Sequence, residues 1–219
     1  MVNSKSNPII LYSHASGPNP WKIAILLEEL GLAYETKFQE FSDLKVEPFI
    51  SLNPNGRVPA IEDRNTGVIL GESGAIIQYL IDTYDTENRL TYTTSPEKYK
   101  LLYWLAFQIS GQGPYFGQKA WFSNYHHEKV PSAEQRYAGE IRRVLGVIDA
   151  HLKKQQTEYL VGNKATYADL AWVTWDVMLG WLVPDLDYQK EFPLFAAWHA
   201  RLVARPAVKK VLEEKAKLS

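Results

Sequence analysis

An α/β unit followed by an all-α unit is what this sequence predicts, and three observations predict it. Residues up to Tyr84 alternate strand-like and helix-like hydrophobic patterns. A polar stretch without periodicity, DTENRLTYTTSP at Asp85–Pro96, then interrupts the chain. Beyond Pro96 the apolar patterns have helical spacing and no clear strand follows. The expected division is residues 7–85, a linker at 86–95, and residues 96–219.

Each element has its own signal. Ile9–Tyr12 is a short apolar run that suits a buried strand. From Trp21, the positions Ile23, Leu26, Leu27 and Leu30 trace one helix face, and Gly31 supplies the stop. Tyr34–Phe38 alternates as a second strand, and a short helix is expected at Val46–Leu52. NPNGRVPAIED carries turn residues into a strand at Ala60–Asp63; RNTG then turns the chain back into Val68–Leu70. A helix from Ser73 buries Ile76, Ile77, Leu80 and Ile81. The order β-α-β-α-β-β-α implies one parallel pair and one hairpin, hence a mixed sheet. In the second unit, Glu97–Gln108 and Glu134–Leu152 read as helices. Thr166 and Asp169 form a capping box that opens a very apolar helix. Pro193–Ala204 and Pro206–Lys217 close the chain as two short helices, each with proline near its start.

Composition narrows the function. The chain of 219 residues holds 24 basic and 25 acidic side chains, a net charge of -1, so no electrostatic case exists for nucleic acid or an anionic membrane. It contains no cysteine, which removes a disulfide, a thiolate metal site and a cysteine nucleophile. The apolar run at the N-terminus is too short for a signal peptide. Ala171–Val183 carries Asp176 and falls short of the ~18 residues of a membrane span. A cytoplasmic location is the expectation. His126–His127 lacks the spacing of metal ligands, and no metal is expected.

Several residues admit both a structural and a chemical reading. Asn19 suits an N-cap with Pro20 at the first helical position; it equally places an amide donor where a helix dipole favours an anion such as a thiolate. Val58-Pro59 is either an ordinary trans bond or a cis turn that presents backbone groups to a peptide-like ligand. Glu72 and Ser73 either open a helix or bind the ammonium and carboxylate of an amino acid. Arg136 either pairs with Glu140 one turn on or holds a ligand carboxylate. The Tyr12 hydroxyl is either buried or able to activate a thiol. Tyr115, Phe116 and Trp121, around a helix pattern broken by Gly111, Gly113 and Pro114, either line an apolar pocket or pack in the core.

Taken together, NPNGRVPAI, ESGAIIQYL and VGNKATYADLAW resemble the glutathione transferase family, over roughly residues 9–212. SHASGPNPWK, ISGQGPYFGQ and EQRYAGEIRRV resemble its fungal and bacterial subgroup, which holds the nu-class enzymes and the yeast nitrogen-regulation prion protein. The resemblance implies a thioredoxin-like first domain, an all-helical second domain and a homodimer. It implies glutathione, reduced or as its disulfide, as cofactor, and a small-molecule electrophile or disulfide as second substrate. It implies a cis Val58-Pro59 bond, with Val58 pairing the cysteinyl backbone. Glu72 and Ser73 would bind the γ-glutamyl end, and Arg57 belongs to the same motif. Lys45 would hold the glycyl carboxylate, Arg136 would reach a carboxylate, and Asn19 would lie near the sulfur. Gly17 stands where bacterial relatives have threonine, which leaves Ser16 as the adjacent hydroxyl for a catalytic role. The sequence lacks the prion protein's Gln/Asn-rich arm and its insertion before the capping box, which argues against a nitrogen regulator. The expected activity is glutathione thiol transfer to electrophiles, or glutathione-dependent reduction of disulfides or peroxides. A non-catalytic binding or regulatory role on the same fold is the alternative.

Overall fold

The structure is a computed structural model and describes residues 7–218. The first unit runs in the order expected: β1 (Ile9–Ser13), α1 (Pro18–Leu30), β2 (Tyr34–Phe38), α2 (Phe49–Leu52), β3 (Ala60–Asp63), β4 (Val68–Gly71) and α3 (Ser73–Tyr84). A single 3-10 turn, Asp43–Lys45, precedes α2. The four strands lie in the order β2-β1-β3-β4. β1 and β2 are parallel, whereas β3 is antiparallel to both of its neighbours, so the sheet is mixed.

All five residues of β1 are buried, as a strand covered on both faces requires. On one face Ile10, Tyr12 and Ala60 pack with Leu44 and Phe49. Alternation leaves Ile9, Leu11 and Ile61 for the opposite face, against which α1 and α3 lie. Gly31 ends α1 in the left-handed region (φ 69°), its N–H shared between the Glu28 and Leu27 carbonyls.

The second unit is helical: α4 (Glu97–Phe107), α5 (Gly113–Asn124), α6 (Pro131–Gln155), α7 (Tyr167–Leu170), α8 (Val173–Asp176), α9 (Leu179–Leu182), α10 (Tyr188–Glu191) and α11 (Pro193–Val203). Among the described residues none of its helices, nor any other, is long and apolar enough to cross a membrane. Two expectations are corrected here. The apolar run after Thr166 is three short helices, α7 to α9, rather than one, because hydropathy alone does not register the breaks at Ala171–Trp172 and Val177–Met178. The helix break near Gly111 is a π turn, Gln108–Gln112, that carries α4 into α5.

The expected domain boundaries shift at both ends of the second unit. Packing divides the described chain into residues 7–87 with 205–218, and residues 88–204. The segment expected as a linker contributes a buried Leu90, whose carbonyl accepts the Tyr167 N–H at 2.9 Å. The last helix, α12 (Pro206–Ala216), belongs with the first unit. Arg205 makes a forked pair with Glu29 at 2.6 and 2.7 Å, and Lys210 reaches Glu28 at 2.6 Å, both acids on α1. An amphipathic pattern reveals that a helix buries a face but not which unit covers it.

The π turn feeds a buried polar chain. Gln108 donates to Gln112 Oε1 at 2.9 Å, and Gln112 donates to Asp176 Oδ1 at 2.7 Å. Asp176 Oδ2 stands 3.9 Å from His199 Nδ1, and neither atom finds a hydrogen-bond partner among the described residues. Burial pushes the Asp176 carboxyl well above its ordinary range and the His199 imidazole down to about 4. The folded carboxyl therefore holds its proton more tightly than the unfolded one. Stability falls with rising pH from the ordinary carboxylate range up to the folded pKa. Asp176→Asn imitates the protonated acid and keeps an oxygen for Gln112. Its unfolding free energy from urea titrations should pull ahead of the parent's by ~1 kcal/mol or more as pH rises above the ordinary carboxylate range. A difference that does not widen with pH would refute this assignment.

Candidate functional site

Strand register gathers four loops at one end of the sheet. Tyr12 pairs with Ala60, and Ala60 pairs with Gly71. The end of β1, the start of β3 and the end of β4 therefore lie side by side. The parallel partner β2 ends beside them, with Ser13 opposite Phe38. The segments that follow β1 and β2, precede β3 and follow β4 thus emerge together. They carry Ser16 and Asn19, Lys45, Arg57 to Pro59, and Glu72 with Ser73.

The first of these loops is fastened by Trp21, whose indole N–H is shared between the carbonyls of His14 (3.2 Å) and Ala15 (3.0 Å). The N-cap of α1 is Gly17 and the first helical residue is Pro18, so Asn19 is the second helical residue and not the cap. The sequence offers two N-cap candidates, each followed by proline, and the chain uses the earlier one. Pro18 and Pro20 remove two of the N–H groups that a helix start normally presents. Gly17, just before them, and Asn19, between them, each keep one. No acidic side chain lies in that turn to oppose an anion. Lys22, one turn further along the same face, is 2% exposed, and burial lowers its pKa to about 7. Ser16 is exposed, and its hydroxyl lies 3.1 Å from His14 Nδ1. Tyr12 takes the buried alternative: its hydroxyl donates to Glu62 at 3.4 Å, and burial followed by that carboxylate raises its pKa.

The other loops are joined by two asparagines that sequence reasoning read only as turn residues. Asn53 is buried; its amide donates to the Arg57 carbonyl at 2.7 Å and accepts the Asn55 N–H at 3.1 Å. Its place opposite Gly71 demands a glycine there, since a Cβ would fall 2.8 Å from the Asn53 amide. Asn55 donates to Glu72 Oε1 at 2.8 Å, and its carbonyl accepts from Lys45 Nζ at 2.9 Å. Lys45 and Glu72, far apart in sequence, thus meet across one residue. The Val58-Pro59 bond is cis. Glu72 caps α3 with φ 63° and ψ 113°, a backbone conformation rarely adopted outside glycine. Lys45, Arg57 and Glu72 are exposed, and Ser73 is half-buried. The site therefore carries two cations, one anion, the start of α3 and the hydroxyls of Ser16 and Ser73, with no cysteine.

The remaining candidates lie in the second unit. Arg136 is exposed and stands 3.9 Å from Glu140, which prefers Arg143 at 2.7 Å. Phe116 is fully buried and packs edge-on to Trp175, so it serves the core. Tyr115 is half-buried beside Tyr137 and under Arg143, and Trp121 is half exposed beside Tyr125. Successive helical residues turn by ~100°, so these three side chains do not share one face of α5. Among the described residues no group of His, Asp or Glu is placed to hold a metal ion.

Comparison with known proteins adds to this geometry. Residues 7–82 match the glutathione S-transferase N-terminal domain, and residues 113–206 match the glutathione S-transferase C-terminal domain. The chain is 52% identical to the glutathione S-transferase-like protein OpS6 of Beauveria bassiana, over 97% of this chain and 98% of that one. It is 35% identical to Protein URE2 of Saccharomyces bayanus, over 92% of this chain and 68% of that protein. The crystal structure of the glutathione transferase URE2P6 from Phanerochaete chrysosporium, in complex with oxidized glutathione, superposes with a TM-score of 0.92 at 47% identity over the whole of both chains.

Proposed function

This chain belongs to the glutathione S-transferase family, and on that premise we propose that it binds glutathione at this end of the sheet and activates the thiol. The thiol is then transferred to an electrophile or used to reduce a disulfide or peroxide. The observation that carries the reading is the bridge through Asn55, which sets the Lys45 ammonium and the Glu72 carboxylate in one network beside the start of α3. Glutathione has the complementary charges, with a carboxylate at the glycyl end and an ammonium and carboxylate at the other. Glu72 takes the ammonium, and the Ser73 hydroxyl with the first N–H groups of α3 takes the adjoining carboxylate. Lys45, with Arg57 beside it, takes the glycyl carboxylate. Val58 pairs its backbone with the cysteinyl residue, and Arg136 serves a carboxylate in a homodimer.

What glutathione supplies is the sulfur that the cysteine-free chain lacks. The protein's part is to hold that sulfur as a thiolate. A free thiol with a pKa of ~8.5 is mostly protonated at neutral pH. The positive end of α1 and the Asn19 amide both favour the anion. Asn19→Ala is expected to lower kcat/KM ~10-fold or more and to move the thiol's apparent pKa up by ~1 unit, read from the pH profile of turnover. An unchanged profile would exclude Asn19 from this role.

The oxidized glutathione in the URE2P6 complex favours the disulfide branch, because it is a disulfide of two glutathiones in a similar fold. Reduction of hydroxyethyl disulfide by glutathione, coupled to glutathione reductase and NADPH, tests it. Turnover well above the uncatalysed exchange supports disulfide reduction. Glutathione binding without such turnover favours conjugation. Binding with neither activity favours the non-catalytic reading that the likeness to Protein URE2 keeps in view.

A further inference from the structure

The loop between β1 and α1 holds a side-chain pair that the reading above leaves unused. His14 Nδ1 lies 3.2 Å from the Ser16 backbone nitrogen and 3.1 Å from Ser16 Oγ. A backbone N–H only donates, so in this arrangement Nδ1 presents its lone pair to the Ser16 N–H. The Ser16 hydroxyl faces the same lone pair and bonds to it in one sense only, with O–H pointing at Nδ1. Its oxygen lone pairs are left for whatever lies on the exposed side of Ser16. The ring itself is held, stacked on Phe41 at 3.9 Å and 22°.

We propose that Ser16 and His14 form a proton relay for the glutathione thiol. The S–H proton passes to Ser16 Oγ as the Ser16 O–H proton passes to His14 Nδ1. The S–H bond breaks and leaves its electron pair on sulfur, an O–H bond is remade on Ser16, the Ser16 N–H gives up its hydrogen bond to Nδ1, and the imidazole becomes an imidazolium that later returns its proton to water. Nothing is oxidised or reduced. The inference deepens the proposed function and rests on it, since a thiol must bind at this end of the sheet. A serine hydroxyl alone is a poor base at neutral pH, and an imidazole behind it supplies the missing basicity. His14 acts through Ser16, so it is a positioning residue with respect to the sulfur. The groups against it are Phe41 from the segment after β2, Ser16 from its own loop, and Trp21 of α1 on its carbonyl. Among the described residues no ion pair involves it: Glu40 and Asp43, the acids flanking Phe41, form none, and Lys45 Nζ is bonded to Asn55.

A histidine that accepts an N–H two residues on also has a purely local explanation, because asparagine does the same in turns. His14→Asn separates the two, as its amide oxygen can hold the Ser16 N–H but cannot take a proton. The experiment follows the ultraviolet thiolate band of bound glutathione against pH, with the pH profile of kcat/KM, in the full chain. His14→Asn is expected to bind glutathione within about twofold of the parent, with the thiolate titrating ~1 unit higher and kcat/KM near pH ~6.5 reduced ~10-fold. Ser16→Ala should behave alike, Ser16→Thr should restore the parent profile, and the double variant should be no worse than either single one. A parental band and profile in His14→Asn or in Ser16→Ala overturns the relay and leaves the proposed function standing. A parent chain that neither binds glutathione nor shows the band overturns both.

Discussion

Asp169→Ala is expected to lower the stability of the protein by ~3–5 kcal/mol, about 10 °C in Tm, as read by urea and thermal unfolding. The carboxylate is fully buried and every group that reaches it is a donor. Oδ2 accepts the Thr166 N–H at 2.9 Å and the Thr166 hydroxyl at 2.6 Å. Oδ1 accepts the Leu160 N–H at 2.9 Å and the Trp198 indole N–H at 2.9 Å. These partners come from three places in the second unit: the segment before α7, its N-cap, and the middle of α11. Leu160, Thr166 and Trp198 are themselves buried, so alanine leaves their donors without water or acceptor. Each orphaned N–H costs about 1–3 kcal/mol, and partial relaxation keeps the total below the sum. Asp169→Asn should fall between, because its amide nitrogen cannot accept from the two donors it would face. Thr166→Ala, which removes one hydroxyl and keeps the carboxylate, should lose only ~1 kcal/mol. If Asp169→Ala unfolds at the parent's midpoint, the carboxylate is not the tie between these segments.

That capping box was legible because both of its members lie within four residues and use the residue types that caps require. The sheet was legible for a similar reason: alternation in Tyr34–Phe38, turn residues in RNTG and the apolar run at Ile9 each report on local backbone. The misplaced start of α1 marks the limit of local signals. Gly17-Pro18 and Asn19-Pro20 satisfy the same rule; the chain uses the earlier, with the Trp21 indole closing on the His14 and Ala15 carbonyls just before it. The site was legible as a set of candidate residues but not as a connected object. Asn55 reads as a turn residue until Lys45 and Glu72 are seen on either side of it. Asn53 reads likewise until Gly71 is seen to make room for its amide. Phe116 shows the opposite case, an aromatic whose neighbours suggest a pocket and whose position in the helix sends it into the core.

At Glu72 stability and binding are expected to move in opposite directions. Its φ of 63° with ψ of 113° places a residue with a Cβ in a region where L-residues are strained by about 1–3 kcal/mol. Glu72→Gly removes that strain. The extra freedom of glycine in the unfolded chain takes back ~0.5–1 kcal/mol, and the lost Asn55 contact is exposed and weak. The net expectation is a gain of ~1 kcal/mol, or about 2–4 °C in Tm. The same substitution deletes the carboxylate proposed to meet the glutathione ammonium. Leaving that cation unpaired in the bound state should weaken affinity ~100-fold or more by isothermal titration. Glu72→Gln isolates the charge, since it keeps the backbone strain and an oxygen for Asn55. It should match the parent in stability and match Glu72→Gly in lost affinity. A glycine variant less stable than the glutamine variant would mean that the positive φ stores no strain. Parental affinity in both would mean that the ammonium is bound elsewhere. The expected pairing of a more stable protein with a weaker site would mean that the chain holds Glu72 in an unfavourable conformation for the sake of where its carboxylate points.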